Sequence, residues 1–154
     1  MNIASFLSPN AVRVMGGLSG KKRLFQELSD MAGAIYGIEP GQTFDSLQER
    51  EVLGPTGVGH GVALPHARLH GLDQMAGIFL RLEKPMEFDA VDRLPVDLIF
   101  ALFAPKAAGV EHLRALAIVS RTLRDEGVRA KLRRNTDPAA LHAVLTESRS
   151  TQMA

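Results

Sequence analysis

The sequence has no cysteine, no tryptophan and a single tyrosine in 154 residues. Without cysteine there are no disulfides, no thiol catalysis and no cysteine-based zinc site. So few flat rings leave little on which nucleic-acid bases could stack. An excess of charge of one sign is missing as well: 18 basic residues face 17 acidic ones, for a formal charge of +1. A nucleic-acid binder needs surplus cations against phosphates, so that class is set aside. The most basic run, "RAKLRR" at 129–134, reads as a solvated helix face. Long apolar runs are also lacking. "VDLIFALFAP", Val96 to Pro105, is too short to cross a bilayer and contains Asp97, so no membrane insertion is expected. The opening "MNIASFLSPNAVRV" has no basic start ahead of a long apolar segment. No signal peptide is therefore expected, and the cytoplasm is the expected compartment.

What is present suits one compact domain: 45% hydrophobic and 23% charged residues, with no repeat and no break in composition. "AVRV", 11–14, reads as a short strand. Apolar residues at helical spacing from Lys21 to Tyr36 predict a helix that Gly37 ends in a left-handed cap. Thr43 is expected to cap a second helix running through Arg50, with Phe44 and Leu47 inward. "GVALPH" predicts a strand broken at Pro65. "AGIFLRL", 76–82, alternates like a half-buried strand, and "VDLIFALFA" reads as one covered on both faces. From Val110 to Leu123 an amphipathic helix is expected, its core stripe marked by Val110, Leu113, Leu116, Ala117 and Leu123. A short basic helix, 128–134, precedes a last helix capped by Asp137 with Pro138 in its first turn. The fold class is α/β. The expectation is a single three-layer domain over 1–148, a central mixed β-sheet of about four or five strands with helices on both sides. Residues 149–154 are expected to form a disordered tail.

Chemistry concentrates in "GPTGVGHGVALPHARLHG", Gly54 to Gly71, which holds three of the five histidines. No Walker lysine follows its glycines, the dinucleotide fingerprint is incomplete, and no nucleophile elbow exists. His66 and His70, four apart, would make a metal pair only on a helix, which Pro65 and the glycines disfavour; no metal and no cofactor is assigned. Two readings remain open on the residues alone. One is a plain turn. The other is a presented imidazole beside backbone N–H groups that hold an anion, with Thr56 adding a hydroxyl and Arg50 a guanidinium fork. An imidazole neutral at pH 7 is a good nucleophile toward phosphorus, and phosphoryl transfer is mostly positioning and charge stabilisation.

Arg50-Glu51 followed by "LGPTGVGHGVALPHARL", Leu53 to Leu69, resembles the active-site signature of IIA components of the phosphoenolpyruvate-dependent sugar phosphotransferase system. The likeness is to the fructose–mannitol type and, within it, to the nitrogen-type regulatory IIA proteins. "FLSPNAVRV", "KKRLFQEL", "KPMEFDAVDRLPVDLIFALFAP" and "EHLRALAIVSRTLRD" extend it over nearly the whole chain. The resemblance implies that His66 is the phosphorylated histidine, on Nε2, and that His112 supports the phosphoryl group. Arg50, Thr56, Gly57 and Gly59 would line the phosphoryl-binding pocket. It further implies a phosphotransferase-type carrier, mainly regulatory, that accepts phosphate from a small histidine phosphocarrier of the HPr or NPr type. Its targets would be proteins such as sensor kinases or potassium transport components. The alternative is a sugar-specific IIA subunit that relays phosphate to a IIB component. Two residues depart from the pattern: Pro55, where a small polar residue is expected, and His60, where asparagine is common. His60 reads as a loop residue, and His70 and His142 as surface histidines.

Overall fold

The computed structural model describes residues 1–147; the expected tail lies outside them. Among the described residues, six strands form one sheet. They are β1 (Leu7–Met15), β2 (Gly57–Gly59), β3 (Val62–Ala63), β4 (His66–Leu69), β5 (Ala76–Met86) and β6 (Val96–Pro105), in the order β1-β5-β6-β3-β2, with β4 also on β6. The sheet is mixed: β1 runs parallel to β5, β5 antiparallel to β6, and both β3 and β4 parallel to β6. The count exceeds the expected four or five because the glycine-rich segment supplies three short strands.

Five helices complete the fold: α1 (Lys21–Tyr36), α2 (Pro40–Val52), α3 (Val110–Arg124), α4 (Glu126–Arg134) and α5 (Pro138–Thr146). In β6 every residue from Leu98 to Ala104 is buried. Successive strand residues point to opposite faces, so both faces are covered, as an all-apolar run requires. Helix α1 packs on α2, while α3, α4 and α5 pack in chain order. Strand β5 is buried on both faces from Ala76 to Leu80, although its alternation had suggested a half-buried strand.

The β1 edge is closed by side chains. At the outer edge His142 Nε2 meets the Leu7 carbonyl at 3.0 Å and Pro9 has no N–H to offer. On the inner side the Tyr36 hydroxyl accepts from the Ser8 N–H at 3.0 Å and donates to the Gly77 carbonyl at 2.7 Å, bridging β1 to β5. Pro9 lies where four residues of β1, Ser8 to Ala11, run against one of β5, Ile78, between the Leu7–Gly77 and Val12–Phe79 pairs. Exposed edge groups invite pairing with another chain, and these contacts remove them. His142 is thus a partly buried structural residue rather than a surface one.

Gly37, at φ 70°, ends α1 as expected, and Asp137 caps α5 through the Ala139 N–H. The cap of α2 differs from expectation. Glu39 accepts the Gly41 and Gln42 N–H groups at 2.9 and 2.7 Å, and Pro40 opens the helix. Pro40 fits the first turn because its missing N–H would have no partner there, and this starts α2 three residues ahead of Thr43. Thr43 instead lies fully buried inside the helix, its hydroxyl donating to the Glu39 carbonyl.

Helix α3 is rotated relative to its apolar pattern. Its buried positions are His112, Ala115, Val119, Thr122 and Leu123, whereas Val110 and Leu113 are 58% and 65% exposed. The basic run is only partly solvated. Arg129 is buried and its Nη1 donates to the Leu123 and Arg124 carbonyls at the end of α3. Arg133 forms a bidentate pair with Asp97.

Candidate active site

The glycine-rich segment folds into the site through one interrupted strand. β3 and β4 hold the same register on β6, Val62 opposite Leu98 and His66 opposite Leu102, so Pro65 breaks the ladder without shifting it. The Leu102 N–H still donates to the Pro65 carbonyl at 3.0 Å. Leu64 sits in the break, and its carbonyl lies 2.8 Å from His66 Nδ1. The Pro-His step therefore presents the imidazole and supplies its first partner at once. Gly57 permits the β5–β6 connection to close up: a Cβ there would stand 2.8 Å from the Ala90 Cβ and 2.9 Å from its Cα.

Helix α2 brings Arg50 to His66 by length matching. Gln42 pins its start to β4, with its side-chain Nε2 on the His70 carbonyl at 3.2 Å and its Oε1 on the His70 N–H at 2.7 Å. From there α2 runs opposite to β4. Eight helical residues rise about 12 Å and four strand residues about 13 Å, so Arg50 arrives beside His66. Arg50 Nε–H donates to His66 Nε2 at 3.2 Å, and its Nη1 to the Gly54 carbonyl at 3.0 Å. Arginine can only donate, so His66 Nε2 must be an acceptor. The ring proton then sits on Nδ1, donating to Leu64, and the lone pair points outward from Nε2.

His112, from the first turn of α3, packs edge-on against His66, ring centroids 5.6 Å apart at 74°. It is 5% exposed, its Nδ1 accepts from Arg68 Nε–H at 3.3 Å, and its Nε2 is buried without a partner. Both imidazoles resist protonation. Burial holds His66 below the ordinary 6.5, with Arg50 adding to the effect against the opposing pull of the Leu64 carbonyl. Burial, His66 and Arg68 together push His112 down to about 4. At neutral pH both rings are uncharged.

Behind the pair lies a charged relay that the sequence does not announce. Glu51 accepts from the Thr56 hydroxyl at 2.6 Å and the Thr56 N–H at 3.1 Å, and pairs with Lys21 Nζ at 2.9 Å. Thr56 lies in the site, but its hydroxyl proton is committed to Glu51 and holds the loop in place. In front, an open cavity of about 330 Å³ is lined by Arg50, Thr56, Val58, His66, Leu116 and Ala117 among others. This explains the rotated helix: Ala117 is exposed at this cavity, and Leu116 lines it while still packing against the rim of the core.

The structure thus brings together His66, His112, Arg50 and Thr56. Gly57 and Gly59 stand apart from the cavity lining, paired with Ala63 and Val62 in β2. Pro55 lines the cavity. His60 is an exposed loop residue at φ 58°, and His70 is exposed at the far end of β4 from His66, so the two do not share a helical turn. Arg68 and the Leu64 carbonyl were not singled out, and Glu51 was named only as part of the motif, with no role assigned. For Arg68 a signal existed, since residues two apart on a strand share a face. Among the described residues, no helix is long and apolar enough to cross a membrane.

Comparison with known proteins agrees with this architecture. Residues 5–148 match the family model "Phosphoenolpyruvate-dependent sugar phosphotransferase system, EIIA 2". A nitrogen regulatory protein of Bradyrhizobium diazoefficiens is 41% identical over 145 residues, spanning 94% of this chain and 95% of that one. A fructose-specific EIIA component of Haloferax volcanii is 38% identical over 103 residues, 67% of each chain. The crystal structure of nitrogen regulatory protein IIA-Ntr from Neisseria meningitidis superimposes with a TM-score of 0.88 at 35% identity, covering 94% of this chain and 99% of that one.

Proposed function

We propose a phosphocarrier function on one premise: the chain belongs to the phosphoenolpyruvate-dependent sugar phosphotransferase system EIIA 2 family. His66 accepts a phosphoryl group on Nε2. The observation that carries this reading is the pair of contacts on its ring, Leu64 carbonyl at Nδ1 and Arg50 at Nε2, which keep Nε2 unprotonated with its lone pair held by an arginine donor at the cavity. The donor is a phosphohistidine of a small carrier protein of the HPr or NPr type. In the transfer, the His66 Nε2 lone pair attacks phosphorus and the donor N–P bond breaks. The leaving imidazole keeps the bonding electrons and departs neutral, with its own proton on its other nitrogen. His66 becomes a phosphoimidazolium whose Nδ1 proton stays on the Leu64 carbonyl, which stabilises the new positive charge. Arg50 shifts from the imidazole nitrogen to a phosphoryl oxygen, and His112 supports the phosphoryl group from its buried side.

The output is regulation in the cytoplasm. Phosphorylation adds about two negative charges to a face built from Val58, Leu116 and Ala117, enough to remove or create a protein interface. The relatives named nitrogen regulatory proteins favour this reading, with sensor kinases or potassium transport components as the class of target. A second reading, relay to a IIB component in sugar transport, is kept by the likeness to the fructose-specific component.

The deciding experiment is intact mass after incubation with phosphoenolpyruvate, the general phosphotransferase enzyme and its histidine phosphocarrier. One acid-labile phosphoryl group on the wild type and none on His66→Ala is the expected result. No transfer to folded wild type from cognate donors rejects the function. Onward transfer to a IIB acceptor would select the second reading.

A further inference from the structure

His112 leaves a question that its neighbours answer. Its Nε2 is buried and bonded to nothing, although a buried polar group without a partner costs about 1–3 kcal/mol. Its other nitrogen, Nδ1, faces the Arg68 guanidinium at 3.3 Å. Guanidinium offers only donors, so this contact exists only when Nδ1 carries no proton. A neutral His112 must then carry its proton on Nε2, the nitrogen left bare. Arg68 can make this contact because it sits two residues beyond His66 on β4 and shares its face, while α3 lays His112 across both. Arg68 is exposed and, among the described residues, pairs with no carboxylate, so its donor is not drawn elsewhere.

We infer that Arg68 is a positioning residue that locks His112 in the Nε2–H tautomer, holding a hydrogen-bond donor ready beside His66 for a phosphoryl oxygen. The orphaned Nε2 is thereby explained: its partner is the group that arrives. With the proton on Nδ1 instead, His112 would turn a lone pair toward the phosphoryl oxygens and repel them. A donor already oriented needs no reorganisation during transfer, which is where such groups contribute most. The inference rests on the phosphocarrier reading, but its first readout needs no phosphate.

The test is long-range proton–nitrogen NMR of the imidazoles in the full chain at neutral pH, for wild type, Arg68→Met and Arg68→Lys. Phosphoryl transfer rates are measured on the same samples. The expected wild-type spectrum shows His112 protonated on Nε2 and bare on Nδ1. In Arg68→Met, which keeps the length but has no donor, the tautomers mix and transfer to His66 slows roughly tenfold. Arg68→Lys, which restores a donor, recovers the Nε2–H form and most of the rate. A wild-type His112 protonated on Nδ1, or a tautomer unchanged in Arg68→Met, overturns the inference even if transfer is slowed. No transfer to wild type overturns the phosphocarrier reading and this role with it, whereas transfer with an unchanged tautomer overturns this role alone.

Discussion

At His60 and again at His66 an arginine from a helix reaches a histidine in the glycine-rich segment, and the two meetings are built differently. At His60 the target is backbone. Arg133 Nη2 donates to the His60 carbonyl at 2.6 Å, the His60 N–H donates to Asp92 at 2.8 Å, and Asp97 takes Arg133 by two bonds. Every charge there has a fixed partner, Asp97 for Arg133 and backbone N–H groups for Asp92. Backbone N–H bonds from His60 and Leu94 hold the Asp92 carboxyl below its usual range. Gly61 sits under the clip at φ 77°, where a Cβ would collide with the Arg133 guanidinium. At His66 the target is the ring, and neither Arg50 nor Arg68 is ion-paired with a carboxylate among the described residues. The nearest carboxylate, Glu51, is taken by Lys21 and Thr56. A saturated clip stabilises a backbone conformation. Two cations facing neutral rings leave a positive field open to an anion.

That contrast can be broken from either side. The largest expected effect is on transfer: His112→Ala slows phosphoryl transfer to His66 by about a hundredfold, the usual loss for one preorganised donor. Rates with a purified phosphocarrier check it, and a loss below about threefold would put His112 outside the site.

Next comes the pH dependence of stability. His112 titrates at about 4 when folded against 6.5 in the free group, and His66 is lowered too. Between those values the unfolded chain binds more protons, so stability falls as pH drops from about 6.5 toward 4, by on the order of 2 kcal/mol. Denaturation across that window should show a shallower slope for His112→Ala.

At the clip, Asp97→Ala strands a partly buried Arg133 and destabilises the fold by about 1–2 kcal/mol, while transfer changes less than about twofold. A fall in transfer matching that of His112→Ala would erase the distinction between the two regions. The smallest effect belongs to His60→Asn. Asparagine tolerates the left-handed backbone at φ 58°, and the exposed ring takes part in neither ring-to-ring contact nor cavity at His66. Stability within about 0.5 kcal/mol of wild type and unchanged transfer are expected.

Much of the fold was legible because local signals agreed with it. The α1 periodicity with Gly37, the α5 start at Asp137-Pro138, the break at Pro65 and the apolar β6 run each state their own conformation. Where the reading failed, two causes competed for one residue. Thr43 is a good cap, but Glu39 before Pro40 outbids it. Leu113, Leu116 and Ala117 look like a core stripe, yet this helix turns apolar residues to the site and buries His112.

By itself the sequence determined where the candidate site lies, since glycines, Pro65 and His66 are contiguous and their conformational preferences are local, while the choice of His66 as candidate nucleophile came from the resemblance of that motif. It also determined that an α/β core would form, since β6 can be satisfied only between two layers. The tertiary structure alone decided which nitrogen of His66 carries the lone pair, that Arg68 faces His112, and that Lys21 holds Glu51 under Thr56. These contacts join residues from 16 to 44 positions apart. Their distances follow from where whole elements pack, such as α2 laid antiparallel along β4 and α3 rotated toward the cavity, and no spacing along the chain encodes them.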